Sequence, residues 1–151
     1  MTLPTDTQIL IEREFDAPRQ LVWKAYTTPE LIKRWWAGGN GTVTEAEVDL
    51  RVGGRWRYVM VTGEDFEVAF HGEFREVAEP DRLVNTEVYE GAPDGLGVIT
   101  TTLTESGGRT MLSQLCEYGD PKVRDAVIES GMEGGMQASM DELEKVAVSL
   151  R

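Results

Sequence analysis

The last thirty or so residues constrain the fold of this chain most. Asp120-Pro121 is a typical helix start, and no proline follows it. Beyond it, apolar residues recur at intervals of four and three: Ile128, Met132, Met136, Met140, Leu143, Ala147 and Leu150. This spacing lines one face of a helix and predicts a single long helix of about 45 Å up to the C-terminus. Such a stripe must pack on an apolar surface elsewhere in the chain.

The segment from Thr42 to Tyr118 can supply that surface, because its pattern is that of strands and turns. Alternate residues in its first part are bulky and apolar: Trp56, Tyr58, Met60, Val68, Phe70 and Phe74. Turn residues then separate the last three predicted strands, Leu83 to Tyr89, Val98 to Glu105 and Arg109 to Glu117. The segment predicts a sheet with one apolar face.

Upstream of this segment, the pattern predicts one strand over Gln8 to Phe15 and two short helices. Pro18 and Pro29 each stand where a helix begins, and the second helix extends to about Trp36 before a glycine-rich tract ends it. The predicted order is therefore a strand, two short helices, six strands and a long helix. This is a single α+β domain over residues 1–151.

Composition excludes several function classes. The net charge of -12 and the lack of any basic run make nucleic acid and anionic membrane surfaces poor partners. One cysteine, Cys116, and one histidine, His71, cannot provide an internal disulfide or a His-rich metal site. The start MTLPTDTQ lacks the order of a signal peptide, and no apolar run is long enough to cross a bilayer. We expect a cytoplasmic protein without membrane spans.

The C-terminal methionines have two interpretations. Met132, Met136 and Met140 are either ordinary core or the soft wall of a ligand cavity, since methionine adapts its shape easily. Gly131, Gly134 and Gly135 lie among them, and each disfavours a helix by about 1 kcal/mol relative to alanine. Either a neighbouring backbone packs closely there, or the helix bends and leaves space.

Aromatic and polar residues give further candidates. Trp36, Trp56 and Tyr58 either cover the core or line an opening for an apolar ligand. Counting by twos puts Thr101 and Gln114 on an inward face, which indicates a polar network or a wet pocket. Glu87 is either a solvated carboxylate or an inward one with a raised pKa. No nucleophile elbow, phosphate loop or metal-ligand spacing is present, so the sequence offers no catalytic motif, cofactor site or metal site.

Four segments in this order resemble the START-like (SRPBCC) helix-grip superfamily, within it the bacterial branch named for the activator of heat shock protein 90 ATPase. They are FDAPRQLVWKAYTTPELIKRWW from Phe15, GGRWRYVM from Gly53, HGEFREVAEPDRLV from His71 and RDAVIESGMEGGMQASMDEL from Arg124. The resemblance covers nearly the whole chain. It implies a curved antiparallel sheet that grips the C-terminal helix, with a hydrophobic cavity between the two. It implies no single activity.

By this resemblance, the cavity lining falls on nine residues: Trp36, Trp56, Tyr58, Phe70, Phe74, Gln114, Met132, Met136 and Met140. The leading hypothesis is a protein that binds a lipid- or polyketide-like small molecule, anchored by Gln114 and Glu87. One alternative is a cyclase or hydrolase in which Glu87 does acid-base work, with His71 or Tyr58. Another is a chaperone-linked interaction domain that uses its acidic surface. The sequence leaves a homodimer open.

Overall fold

The computed structural model describes residues 1–151 and contains seven strands and four helices. The strands are β1 (Gln8–Phe15), β2 (Gly41–Val48), β3 (Arg55–Thr62), β4 (Glu67–Ala78), β5 (Arg82–Tyr89), β6 (Leu96–Ser106) and β7 (Arg109–Glu117). The helices are α1 (Arg19–Thr27), α2 (Pro29–Trp35), α3 (Pro121–Glu129) and α4 (Met132–Ser149). The predicted order of one strand, two short helices and six strands is confirmed, and so is the α+β helix-grip class.

All seven strands form one antiparallel sheet in the order β1-β7-β6-β5-β4-β3-β2. The strands β2 to β7 follow one another as a meander, while β1 joins the far edge beside β7. The chain must therefore travel from one edge of the sheet to the other between β1 and β2. It makes this crossing through α1 and α2, which lie over one face of the sheet.

That face, the inner face, holds most of the buried apolar residues of the strands. Ile9 on β1 is opposite Cys116 on β7, which is opposite Ile99 on β6, and all three are buried. Two apolar clusters result. The larger contains Phe15, Leu112 and the buried residues of α1, α2 and α4, and the smaller contains Ile9, Ile11, Ile99 and Cys116. An antiparallel sheet with one buried face requires apolar residues at alternate positions along its strands.

The C-terminal half of α4 is fixed to the rest of the fold. Met140 and Leu143 are buried in the larger cluster. Arg13 on β1 binds Asp141 at 2.7 Å and Glu144 at 2.9 Å, and the hydroxyl of Ser139 donates to the backbone oxygen of Trp36 at 2.7 Å. These contacts hold this half of α4 over the sheet, beside α1 and α2.

The prediction of one long C-terminal helix is wrong. Gly131 adopts a left-handed conformation (φ 81°), which cannot continue a right-handed helix, and it separates α3 from α4. No residue of α3 is buried. A Cβ added at Gly134 or Gly135 would meet no atom within 4 Å, so close packing of a neighbouring backbone does not explain these glycines. Of the two interpretations, the structure shows the bend, which lies at Gly131. No helix has the length and apolar content needed to span a membrane.

Candidate functional site

Glu87 lies on the inner face of β5, between two strands that carry glycine at the facing positions. The register pairs Glu87 with Gly97 on β6. On the other side of β5, Gly72 of β4 lies opposite Glu87, at a place where the β4–β5 pairing is briefly interrupted. Because neither neighbour has a side chain, the sheet itself does not cover the carboxyl. Of the two interpretations, the register favours the inward one.

Aromatic rings take the space that the two glycines leave. The indole N–H of Trp56 donates to the backbone oxygen of Thr86 at 3.1 Å, and a Cβ at Gly72 would lie 2.6 Å from that nitrogen. On the other side, a Cβ at Gly97 would lie 2.9 Å from the ring of Tyr118. Glycine at both positions thus lets the two rings approach the sheet on either side of Glu87.

The Glu87 carboxyl has no partner in the chain. Burial raises its pKa from an ordinary 4.5 to about 7, and no hydrogen bond or opposite charge acts against that rise. The residue as a whole is only half-buried. The Glu87 carboxyl is therefore enclosed by protein, and no group of the chain neutralises its charge.

Other ionisable groups near Glu87 are also held neutral. Burial raises the pKa of Tyr26 and that of Cys116 to about 12, and it raises the pKa of Tyr58 and Tyr118 as well. The nearby charge of Glu87 adds to each of these rises. Glu87 is therefore the one group of this set whose protonation changes near neutral pH.

A polar network lies on the same face. Gln114 is 4% exposed, and its amide donates to the hydroxyl of Tyr26 at 2.7 Å and to that of Thr101 at 3.2 Å. Tyr26 in turn stacks on Trp35, with ring centroids 5.6 Å apart. The inward placement expected for Thr101 and Gln114 is confirmed, and of the two interpretations the polar network is the one observed.

Four of the predicted lining residues form a continuous aromatic wall. Trp36 lies edge-on to Tyr58 at 5.5 Å and to Phe70 at 5.7 Å, and Tyr58 lies 4.8 Å from Trp56. Tyr58 and Phe70 are paired across β3 and β4. The end of α2 and the middle of these two strands therefore meet at one place, in the same part of the sheet as Glu87.

The remaining predicted residues lie at different depths. Phe74 and Met140 are 3% and 2% exposed and belong to the packed larger cluster. Met136 is half-buried and contacts both clusters, and Met132 packs on the smaller one. Met136 is therefore the methionine that lies between the two clusters.

His71 lies on the opposite, outer face of the sheet. Its Nδ1 is 2.9 Å from Glu90, which also binds Arg57, and these two contacts hold the pKa of Glu90 down to about 2. A groove of about 360 Å³ beside them has one apolar residue in its lining. His71 can reach neither Glu87 nor Cys116, so the sequence-based pairing of His71 with Glu87 is wrong.

Two residues of the site were not found from the sequence. Tyr118 continues the period-two series of Leu112, Gln114 and Cys116, so extending that count by one step finds it. Tyr26 stands four residues after Val22, a spacing that places both on one side of a helix. This spacing does not reveal the hydrogen bond between Tyr26 and Gln114.

Comparison with protein families gives a match over residues 16–147 to the family described as Activator of Hsp90 ATPase homolog 1-like protein. The chain belongs to this family. The resemblance seen in the sequence is therefore confirmed, and the seven-stranded sheet with its C-terminal helices is the fold of the family's solved structures.

Solved structures similar to the chain come from several bacteria. A Rhodobacter sphaeroides protein is 26% identical with a TM-score of 0.90, over 98% of this chain and 97% of that one. A Nitrosomonas europaea protein is 25% identical with a TM-score of 0.87, over 97% of both chains. The family member from Aeromonas hydrophila, at 23% identity and a TM-score of 0.73, covers 95% of this chain and 93% of its own. A search of curated proteins finds no match to the chain.

Proposed function

We propose that this family member binds an apolar small molecule between the inner face of the sheet and the helices α3 and α4, with Glu87 at the polar end of the site. The observation that carries the proposal is the position of Glu87. Its carboxyl is surrounded by protein and has no partner in the chain, while the residue as a whole is only half-buried. A buried, unpaired polar group is unfavourable unless something binds to it.

The surroundings of Glu87 match the usual composition of a small-molecule site. Such sites are lined mainly by apolar and aromatic side chains with a few convergent polar groups. Here Trp36, Tyr58 and Phe70 form the aromatic part, and Glu87 with Gln114 forms the polar part.

The helices above this part of the sheet are loosely attached, which favours ligand entry there. No residue of α3 is buried, and Gly131 separates it from α4. By contrast, α4 beyond Ser139 is fixed by buried apolar residues and by Arg13. Elements with few buried contacts open most readily, so α3 and the first turns of α4 are the natural entrance.

The uncharged fluorescent probe N-phenyl-1-naphthylamine tests this proposal. We expect it to bind and to gain fluorescence, and we expect Met136→Trp to reduce its affinity about tenfold by filling the space between the two clusters. Gln137→Trp is the matched control, because Gln137 is the next residue of α4 and is exposed. No binding to the unmodified protein, or equal binding by both variants, contradicts the proposal.

An enzyme acting in the same site is a second candidate, supported by the pKa of about 7 at Glu87, which suits a general acid or base. An enzyme would convert the bound ligand, whereas a binding protein would leave it unchanged. Recovery of a bound compound unchanged after long incubation, by mass spectrometry, supports binding alone. The third hypothesis, a chaperone-linked interaction domain, is supported by the name of the family alone.

A further inference from the structure

We propose that the ligand carries an ammonium group, which pairs with Glu87 inside the site. This inference rests on the proposed function and adds the chemical class of the ligand. It follows from three features of the site: a carboxyl without a partner, the absence of any cation facing it, and aromatic rings on both sides of it.

No basic side chain of the chain reaches Glu87. Arg13, the basic residue of the inner face, is bound by Asp141 and Glu144. Arg124 on α3 is bound by the backbone oxygen of Thr5 and by Asp125. A carboxyl inside a protein is most stable when a charged partner with hydrogen-bond donors satisfies it. Because the chain has none in place, the ligand is the source of that partner.

The aromatic rings around Glu87 also favour a cation. The Trp56 indole lies over Gly72 and the Tyr118 ring over Gly97, and Tyr58 is next to Trp56. The faces of such rings attract ammonium groups.

The same features disfavour an anionic ligand such as a free fatty acid. Its carboxylate would lie beside Glu87 without a cation for either of them, and two carboxyls sharing a site cannot both ionise easily. A neutral alcohol can accept or donate one hydrogen bond, but it gains no ion pair. The net charge of -12 further favours the approach of cations over anions.

Three naphthalene compounds with the same ring system and different head groups test this inference: 2-naphthylmethylamine, 2-naphthylmethanol and 2-naphthoate. At about pH 8, where Glu87 is ionised, we expect the amine to bind at least about tenfold more tightly than the alcohol. We expect the alcohol to bind more tightly than the carboxylate. Dissociation constants from calorimetry or from NMR titration give the order directly.

Glu87→Gln removes the charge while keeping the shape. We expect it to abolish the preference for the amine and to change the affinity of the alcohol less than about threefold. Glu73→Gln is the matched control: it removes one negative charge from an exposed position of β4, on the outer face of the sheet. It therefore leaves the order of the three affinities unchanged.

The affinity of the amine is expected to rise between about pH 5.5 and pH 8, as Glu87 loses its proton. The other groups that face Glu87 do not titrate in this range. Burial raises the pKa of all four well above it: Tyr26 from α1, Tyr58 from β3, and Cys116 and Tyr118 at the end of β7. From the helices above, Arg124 is paired with Asp125, and Glu133 is exposed beside the N-terminal amine of Met1.

The outcomes separate the two proposals. If the uncharged probe and the alcohol bind but the amine has no advantage, or if Glu87→Gln keeps that advantage, the ammonium inference is wrong and the apolar site remains. If none of these compounds binds, the proposed function itself is wrong, and the inference is wrong with it.

Discussion

The side-chain amide of Gln114 donates to the hydroxyl of Tyr26 at 2.7 Å, and this bond joins the middle of β7 to α1 inside the protein. Thr101 on β6 receives the second N–H of the amide at 3.2 Å. The bond lies on the inner face, where the interior is otherwise divided into a larger and a smaller apolar cluster. A helix and two strands thus meet at one polar point, close to Glu87.

Replacing Gln114 by leucine is expected to destabilise the protein by about 1–3 kcal/mol, since the hydroxyls of Tyr26 and Thr101 lose the donor that satisfies them. Urea denaturation measures the difference. Ser113→Ala is the control, because Ser113 is the next residue and faces the outer side of β7; its effect is expected to stay within about 0.5 kcal/mol. Equal effects of the two substitutions would show that the network adds no stability.

The stability of the protein is expected to fall as pH rises from about 4.5 to about 7. Glu87 has a pKa of about 7 in the folded chain and an ordinary value of 4.5 in the unfolded chain. Within this interval the folded state binds more protons, so raising the pH favours unfolding. The full shift corresponds to about 3 kcal/mol as an upper value.

Glu87→Gln isolates this contribution. Its stability is expected to lose the part of the pH dependence that Glu87 contributes between about pH 4.5 and pH 7, and to exceed that of the unmodified protein at about pH 8. Thermal unfolding of both proteins at several pH values checks this. Parallel pH profiles for the two proteins would place the Glu87 carboxyl in water rather than inside.

Local patterns predicted the elements of this fold well, because each has its own periodicity and stop signal. The range Gln8–Phe15 is a strand as expected, and the proline-marked helices begin at Arg19 and Pro29. The break at Gly131 was missed, since a glycine within an apolar stripe is compatible with both a straight and a broken helix. Its left-handed conformation depends on where α3 packs, and periodicity carries no information about that.

Only part of the candidate site was predicted, because alternation along a strand indicates the direction of some of its side chains and not of others. Alternation along a strand places Gln114 and Thr101 on one face, because their neighbours are strongly apolar. Glu87 is surrounded by mixed residues in its own strand, so its direction follows only from its pairing with Gly97 across β5 and β6. The bond between Gln114 and Tyr26 joins residues 88 positions apart, and nothing local in either segment indicates it.

Gly131 and Gly134 are expected to respond in opposite directions to substitution by alanine. Gly131 has a φ of 81°, a conformation that costs an alanine about 1–2 kcal/mol. Gly134 lies in α4 with open space around its Cα, so alanine there is expected to stabilise the protein by up to about 1 kcal/mol. Thermal unfolding of both variants measures the two effects. A stabilising Gly131→Ala would contradict the observed break between α3 and α4.

Gly38 and Gly39, adjacent in the loop after α2, form a matched pair for testing how α4 is positioned. Both have a left-handed backbone, with φ of 58° and 82°, so alanine carries a similar conformational cost at each. They differ in their surroundings. A Cβ at Gly38 would lie 2.8 Å from the backbone nitrogen of Ser139, whereas a Cβ at Gly39 would meet no atom within 4 Å.

Gly38→Ala is therefore expected to destabilise the protein by about 1–3 kcal/mol more than Gly39→Ala, because backbone atoms of α4 must move away. That movement also strains the bond from Ser139 to the backbone oxygen of Trp36, next to the aromatic wall. We expect Gly38→Ala to weaken binding of the naphthyl probe as well, while Gly39→Ala leaves it unchanged. Urea denaturation and fluorescence titration of the two variants measure both quantities, and equal losses of stability would show that the loop does not hold α4.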